Sequence, residues 1–297
     1  MRAITLDEAL RHCYQMTKAH SSTFWLGSQL FSRQARQAVR VVYAVCRSGD
    51  DAVDEAGSVG EARERLEHWQ NLIKNAYTKS PTNSNPLEIA LSWVLSRYDI
   101  PKEAFDELYL GLESDLKNSQ QFETLDELLL YCRRVAGVVG FMVAPIAGYT
   151  GGQKTLDEAL ALGQAMQLTN ILRDVGEDFK RGRCYLPRTM LERYDIDIEK
   201  LKAGHIDENY IALLEELFSL SLGLYHKGWQ GIPKLKGSAS LAVAVAALNY
   251  EGILYKVRQN HYDNLTRRAY LNTPERLALI PKALLGTYKL KLSSFFL

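Results

Sequence analysis

Cysteine is scarce and unpatterned. Four cysteines stand in 297 residues, at Cys13, Cys46, Cys132 and Cys184. No C-x-x-C pair occurs, so neither a zinc clamp nor a disulfide frame is expected, and the thiols read as reduced in a cytosolic setting. Charge of one sign is missing too. Lys plus Arg number 36 against 35 Asp plus Glu, a net charge of +1, which argues against bulk binding of nucleic acid. The dinucleotide fingerprint G-x-G-x-x-G is absent. Sustained apolar–polar alternation between turn signals is absent as well, so no sheet is expected. No run offers the ~20 apolar residues that a bilayer crossing needs. Val135 to Leu156 carries Pro145, Gly151-Gly152 and Lys154, and the run Ser238 to Tyr250 is shorter. The N-terminal Thr5-Leu-Asp-Glu-Ala-Leu is acidic and amphipathic, unlike a signal or transit peptide, and predicts a cytoplasmic chain. No internal repeat of 20–50 residues is seen.

What the chain does have is helical periodicity from end to end. Thr5 with Glu8 forms a capping box opening a helix to about Lys18. A polar break, His20 to Thr23, precedes Phe24-Trp25-Leu26. Ser32 or Arg33 opens a long helix running to the acidic cluster near Asp54. Ser58 with Glu61 opens another to about Thr78, and Ser80 to Pro86 reads as a loop. Helices follow over Leu87–Tyr98, Lys102–Leu116 and Thr124–Tyr149. Thr155 with Glu158 is expected to cap the next helix. Further helices are expected at Arg188–Tyr194, Ile198–Ala203, Asn209 to about Trp229, Ser238–Asn264 and Pro274–Lys291. The expectation is one all-α domain over residues 1–297.

Two acidic clusters interrupt this pattern. In Gln167-Leu-Thr-Asn170-Ile-Leu-Arg173-Asp174-Val-Gly-Glu177-Asp178, helical geometry puts Asn170, Asp174 and Asp178 on one face. Like charges at that spacing repel. Hard oxygen ligands of this kind suit Mg²⁺, completed by water and phosphate oxygens, with Mn²⁺ as a substitute. Arg173, Lys180, Arg181 and Arg183 suit diphosphate oxygens. The second cluster is Arg47-Ser-Gly-Asp50-Asp51-Ala-Val-Asp54-Glu55. Acids at a helix C-terminus oppose the helix dipole, so a purely stabilising role is a poor explanation. The plainer readings are a solvated acidic face and Arg47 neutralising Asp50. Two such helices instead suggest facing walls that hold a diphosphate through Mg²⁺.

These stretches carry a resemblance. His20-Ser-Ser-Thr-Phe24, Tyr43 through Glu55, Gln167 through Asp178, Arg181 through Pro187 and Asn260 through Tyr270 together resemble the squalene/phytoene synthase family, and the last resembles its phytoene synthase branch. The resemblance implies an isoprenoid-synthase-like helical bundle around a central cavity. It implies Mg²⁺-dependent head-to-head joining of two geranylgeranyl diphosphates through a cyclopropylcarbinyl diphosphate to phytoene. NADPH is not expected, and a carotenoid desaturase would act downstream. It places Asp50, Asp54, Asn170, Asp174 and Asp178 on the metal. It places His20, Ser21, Ser22, Thr23, Tyr43, Arg47, Tyr131, Gln167, Asn170, Arg173, Tyr250 and Arg267 on the substrates, with Tyr43, Arg47, Asp50, Asp54, Asp174, Asp178 and Tyr250 as the catalytic set. Taken singly, Tyr43 and Tyr250 read as core aromatics, His20 as a cap or surface residue, and Arg267 and Arg268 as surface charges.

Two further readings accompany it. Small residues at Ala136, Gly137, Gly140 and Ala144 suggest either close helix packing or a slot for a polyprenyl tail. The C-terminal tail mixes lysines with apolar residues and could lie on a membrane surface or pack on the core. The alternatives to phytoene synthesis are squalene or dehydrosqualene synthesis from farnesyl diphosphate, and a non-catalytic assembly factor. The last class tends to lose aspartates that are intact here.

Overall fold

The computed structural model describes residues 3–78, 85–116 and 122–293. The expected loop Ser80 to Pro86 lies mostly outside them. Among the described residues there are helices and no strand, and a lone bridge pairs Tyr149 with Leu235.

The α-helices of the described residues are, in order, α1 (Leu6–His20), α2 (Ser22–Ser28), α3 (Arg33–Asp54), α4 (Val59–Tyr77), α5 (Pro86–Leu95), α6 (Lys102–Ser114), α7 (Leu125–Cys132), α8 (Val138–Ala147), α9 (Gly152–Lys180), α10 (Arg188–Arg193), α11 (Ile198–Lys202), α12 (Glu208–Trp229), α13 (Ala239–Gln259) and α14 (Thr273–Ser293). A π turn, Arg133–Gly137, joins α7 to α8.

Caps explain several of these starts. Thr5 and Glu8 form a reciprocal box, with Thr5 N donating to Glu8 Oε2 at 2.8 Å and Glu8 N donating to Thr5 Oγ1 at 3.3 Å. Ser58 and Thr124 each accept a hydrogen bond from the amide three residues on.

Some expectations change. His20 to Thr23 is too short to break the chain for long: Ser21 Oγ accepts from Phe24 N at 3.1 Å, and α2 starts at once. Thr155 and Glu158 do not cap α9. The helix starts at Gly152, because Gly151 at φ +86° supplies the left-handed residue before it. Thr155 Oγ1 instead donates to Thr150 O at 2.6 Å, and Glu158 pairs with Lys234. α13 stops at Gln259 rather than at Asn264, and His261 and Tyr262 follow with φ +55° and +58°. Residues 264–272 form an irregular strap.

The apolar side chains fall into two clusters. The first gathers α1, α3, α4, α5 and α6 around Leu66, Trp69, Leu91 and Phe105. The second gathers α7, α9, α12 and α13 around Leu168, Leu172, Tyr210 and Phe218. α8 and the start of α13 contribute Val138, Met142 and Ala242 to the first cluster, and so join the two. α3 belongs to one cluster and α9 to the other, so the two acidic clusters meet at the seam.

The stripe of small residues turns out to be a packing surface. A Cβ on Gly140 would lie 2.6 Å from Ala159 O, and one on Gly163 would lie 2.4 Å from Ala136 O. Small side chains draw α8 and the π turn onto α9 and leave no slot there. The stretch Leu125–Ala147 is, contrary to the sequence expectation, long and apolar enough to cross a membrane by length and composition. Leu128, Tyr131, Cys132, Val138 and Met142 within it are buried in the bundle.

Candidate active site

The first wall is the end of α3. A heptad-like run places Tyr43, Arg47, Asp50 and Asp54 on one face of this helix. Arg47 Nη2 lies 2.5 Å from Asp51 Oδ1, and its charge also acts on Asp50. The Asp50 carboxyl is pushed up to about 7, by burial first, with Asp54, Asp115 and Asp51 adding to it against the pull of Arg47. Burial also pushes the Tyr43 hydroxyl up, while a hydrogen bond with Ser21 and the charge of Arg47 oppose it; Asp50 and Tyr250 are near enough to act on it too. These interactions gather Ser21, Tyr43, Arg47, Asp50 and Tyr250 in one region. The Tyr43 ring stacks on Phe24 with centroids 4.6 Å apart.

The second wall is the last third of α9. Asn170 Nδ2 donates to Gln167 Oε1 at 3.3 Å. Asn170 Oδ1 is buried with no hydrogen-bond partner. Asp174 accepts from Arg173 Nε at 2.7 Å and from Arg268 Nε at 3.0 Å. Burial alone would raise the Asp174 carboxyl, but these two guanidiniums outweigh it and hold it below the usual range. Asp178 is pushed up to about 7 by burial and by Asp174, against Arg181 and Arg183.

Arg183 joins the walls. Its Nη2 lies 3.0 Å from Asp54 Oδ1, across 129 residues of sequence. Its backbone N donates to Asp178 O at 2.9 Å. The two acidic clusters therefore face each other, with guanidiniums between and beside their carboxylates.

Some site residues escaped the sequence reading. Asp115 caps α6, accepts from Tyr131 Oη at 3.2 Å, and acts on both Asp50 and Arg183. An acid at a helix C-terminus was the available signal, the same one that singles out Asp54. Tyr131 and Tyr185 stack with centroids 5.5 Å apart, and Phe122 lies 5.2 Å from Tyr131. Burial drives the Tyr131 hydroxyl well above its ordinary value.

Arg267 stands apart from the carboxylates in this structure: its side chain is 75% exposed and pairs with Asp263, whereas Arg268 reaches Asp174. The strap is not helical here, so helical spacing does not decide which of the two arginines faces α9. His20 ends α1 and is exposed. The side chains of Ser22 and Thr23 lie outside the described set.

The residues suit a divalent cation in one specific manner. Among the described residues, no group of three or more His, Cys, Asp or Glu side chains converges on one point. Asn170 Oδ1, however, is a buried acceptor without a donor, on the same stripe as Asp174 and Asp178. Mg²⁺ commonly takes one or two carboxylates and completes its shell with water and phosphate oxygens. The donor set fits an ion that arrives with a diphosphate better than an ion bound alone.

One narrow cleft is lined by Asp178, Arg183 and Tyr185 among others. Another is an open surface cleft along Arg188 to Ile198.

Comparison with known proteins agrees with this arrangement. The chain is 47% identical to the phytoene synthase of Thermus thermophilus over 92% of its length and 91% of that protein. It is 34% identical to the 15-cis-phytoene synthase of Synechocystis, covering 94% of this chain and 85% of that one. A crystal structure of a dehydrosqualene synthase in complex with ligand superposes with a TM-score of 0.86 at 28% identity, over 96% of this chain and 98% of the other. The squalene/phytoene synthase profile matches residues 17–275. With its two facing aspartate helices and this extent of similarity, the chain belongs to the squalene/phytoene synthase family.

Proposed function

We propose that this chain is a phytoene synthase that joins two geranylgeranyl diphosphates head to head. The observation that carries the diphosphate chemistry is the Arg183–Asp54 contact, which sets the carboxylates and guanidiniums of α3 and α9 around one seam. The choice of phytoene follows the relatives in Thermus and Synechocystis.

In this reading Arg47, Arg173, Arg183 and Arg268 exchange their carboxylate partners for diphosphate oxygens. Asp50, Asp54, Asn170, Asp174 and Asp178 would hold Mg²⁺, which would supply charge neutralisation as the diphosphate departs. When the allylic C–O bond of the first substrate breaks, Tyr43 and Tyr250 turn ring faces toward the cation and stabilise it. The double bond of the second substrate attacks, and proton loss gives the cyclopropylcarbinyl diphosphate. The released diphosphate, held by the arginines, takes that proton. The intermediate ionises in turn, rearranges and loses a proton to give phytoene. Phe24, stacked on Tyr43, helps keep water from the cation. The tails lie along the seam, where Phe24, Cys46, Phe141 and Val243 are only partly buried.

α14 gives the chain a membrane-facing side. Leu277, Ile280, Leu284 and Leu285 are 58%, 39%, 51% and 62% exposed. Arg276 and Lys282 share the helix. An apolar face with basic neighbours suits the surface of an anionic bilayer, where substrate and product reside. The location that fits is the cytoplasm, with peripheral membrane contact.

Incubation of the purified chain with geranylgeranyl or farnesyl diphosphate and Mg²⁺, with and without NADPH, tests the reading. Phytoene from the C20 substrate, independent of NADPH, is the expected product. Squalene, formed only with NADPH, or dehydrosqualene as the sole product would replace it with the farnesyl reading, which the similarity to a dehydrosqualene synthase keeps in view.

A further inference from the structure

Behind the aspartate face of α9 lies a second constellation that no catalytic step uses. Asn264, in the strap after α13, is 4% exposed. Its Nδ2 donates to Leu172 O at 2.6 Å. Its backbone carbonyl accepts from Gly176 N at 3.0 Å. In a regular α-helix, Leu172 O and Gly176 N would be partners in one i, i−4 bond. One asparagine therefore addresses both ends of that rung. Its Oδ1 accepts from Tyr210 Oη on α12 at 2.8 Å, and Tyr210 is itself buried.

Gly176 is what allows the approach. A Cβ there would lie 2.1 Å from Leu265 O. Immediately before the strap, His261 and Tyr262 hold left-handed φ values. Bulky residues take that conformation only where surrounding contacts enforce it. The Asn264 bonds are such contacts, and the deep burial of Tyr262 adds to them.

Four residues beyond this pin, Arg268 wraps round α9 to Asp174. A slip of one residue would put Arg267 or Ala269 in the place of Arg268. We propose that Asn264 is a positioning residue: by seating on the Leu172–Gly176 rung and on Tyr210, it sets the register of the strap and so delivers Arg268 to the diphosphate site. The proposal rests on the diphosphate reading above.

The test measures binding of inorganic diphosphate with Mn²⁺ by calorimetry on the full chain, beside amide exchange of residues 264–270. Asn264→Ala is expected to weaken diphosphate binding roughly tenfold, the lower range for outer-shell partners, and to speed strap exchange by a similar factor. Asn264→Ala in an Arg268→Ala background is expected to add little further loss, because both act through one contact. Tyr210→Phe keeps the ring and removes one donor. It serves where Asn264→Ala is poorly folded, and is expected to act in the same direction with a smaller effect.

Equal losses from Asn264→Ala with and without Arg268 would overturn the proposal. So would a folded Asn264→Ala or Tyr210→Phe chain with wild-type strap exchange. Failure of the wild-type chain to bind diphosphate at all would instead strike the diphosphate reading, and the exchange arm would still report on the register of the strap.

Discussion

Asp50 and Asp178 titrate near neutrality, both pushed up to about 7 from an ordinary 3.8, by burial first. A raised carboxyl means that the folded chain keeps a proton the unfolded chain has released. The stability these two groups contribute is full below about pH 4 and is lost as pH rises through about 7. Asp174, held low by its arginines, has the opposite sign and acts below this window. Thermal unfolding of the metal-free chain should therefore show Tm falling between pH 5 and 8. Asp50→Asn should flatten that fall; a wild-type Tm that rises over this range would contradict the burial of Asp50. Divalent ions need the carboxylates ionised, so Mn²⁺ affinity in the presence of diphosphate should climb across the same range. Loss of the Asp174 carboxylate by Asp174→Asn should lower kcat by roughly 10²–10³-fold, as loss of one preorganised electrostatic group does. The arginine pair separates by address. Arg268→Ala should weaken diphosphate binding, while Arg267→Ala, at an exposed surface position, should stay within about 0.5 kcal/mol in stability and leave turnover near wild type. Matched steady-state kinetics on the two variants would check this. The aspartates were legible from the sequence because repulsion at i, i+4 has no local benefit. The contact of Arg268 with Asp174 was not, since it depends on where a non-helical segment lands.

Among the elements, α9 is the one on which the rest converge, and glycine sets how closely. Gly163 sits against Ala136 O and Gly176 against Leu265 O, each too near for a methyl group. Gly163→Ala should cost ~1–3 kcal/mol, the usual range for overpacking, seen as a lowered Tm. Gly223 on α12 has open space around it. Gly223→Ala should stabilise by ~0.5–1 kcal/mol through helix propensity alone. A Gly163→Ala chain as stable as wild type would mean that α9 and the π turn pack less closely than described. Most helices could be read from periodicity and caps. The start of α9 could not, because Gly151 and Gly152 read as a turn while one of them opens the helix. The end of α13 could not either, since nothing local in Asn260 to Asn264 announces two left-handed residues; contacts with α9 and α12 dictate them.

For the molecule as a whole, two apolar clusters share one seam, and an exposed leucine face on α14 lies outside both. Replacing Leu277, Leu284 and Leu285 together by Ser should reduce sedimentation with anionic vesicles and leave turnover of detergent-dispersed substrate unchanged. Unaltered vesicle binding would remove the membrane role from α14. The all-α class followed from what the chain lacks, and the facing of the two acidic clusters followed from their chemistry. The filling of the small-residue stripe by α9 did not follow, because room and contact look alike in one dimension. The π turn at Arg133–Gly137 has a geometric effect of its own. A π turn holds one residue more than an α turn, and one residue is about 100° of rotation. Everything before it is thereby re-aimed relative to everything after it. Tyr131 swings to the polar mouth beside Asp115, while Met142 stays pointed at the opposite cluster, where its sulfur meets Cys46 at 3.8 Å. Excising one residue from 133–137 would straighten this dog-leg, so that no single rotation of the rod could satisfy both ends at once.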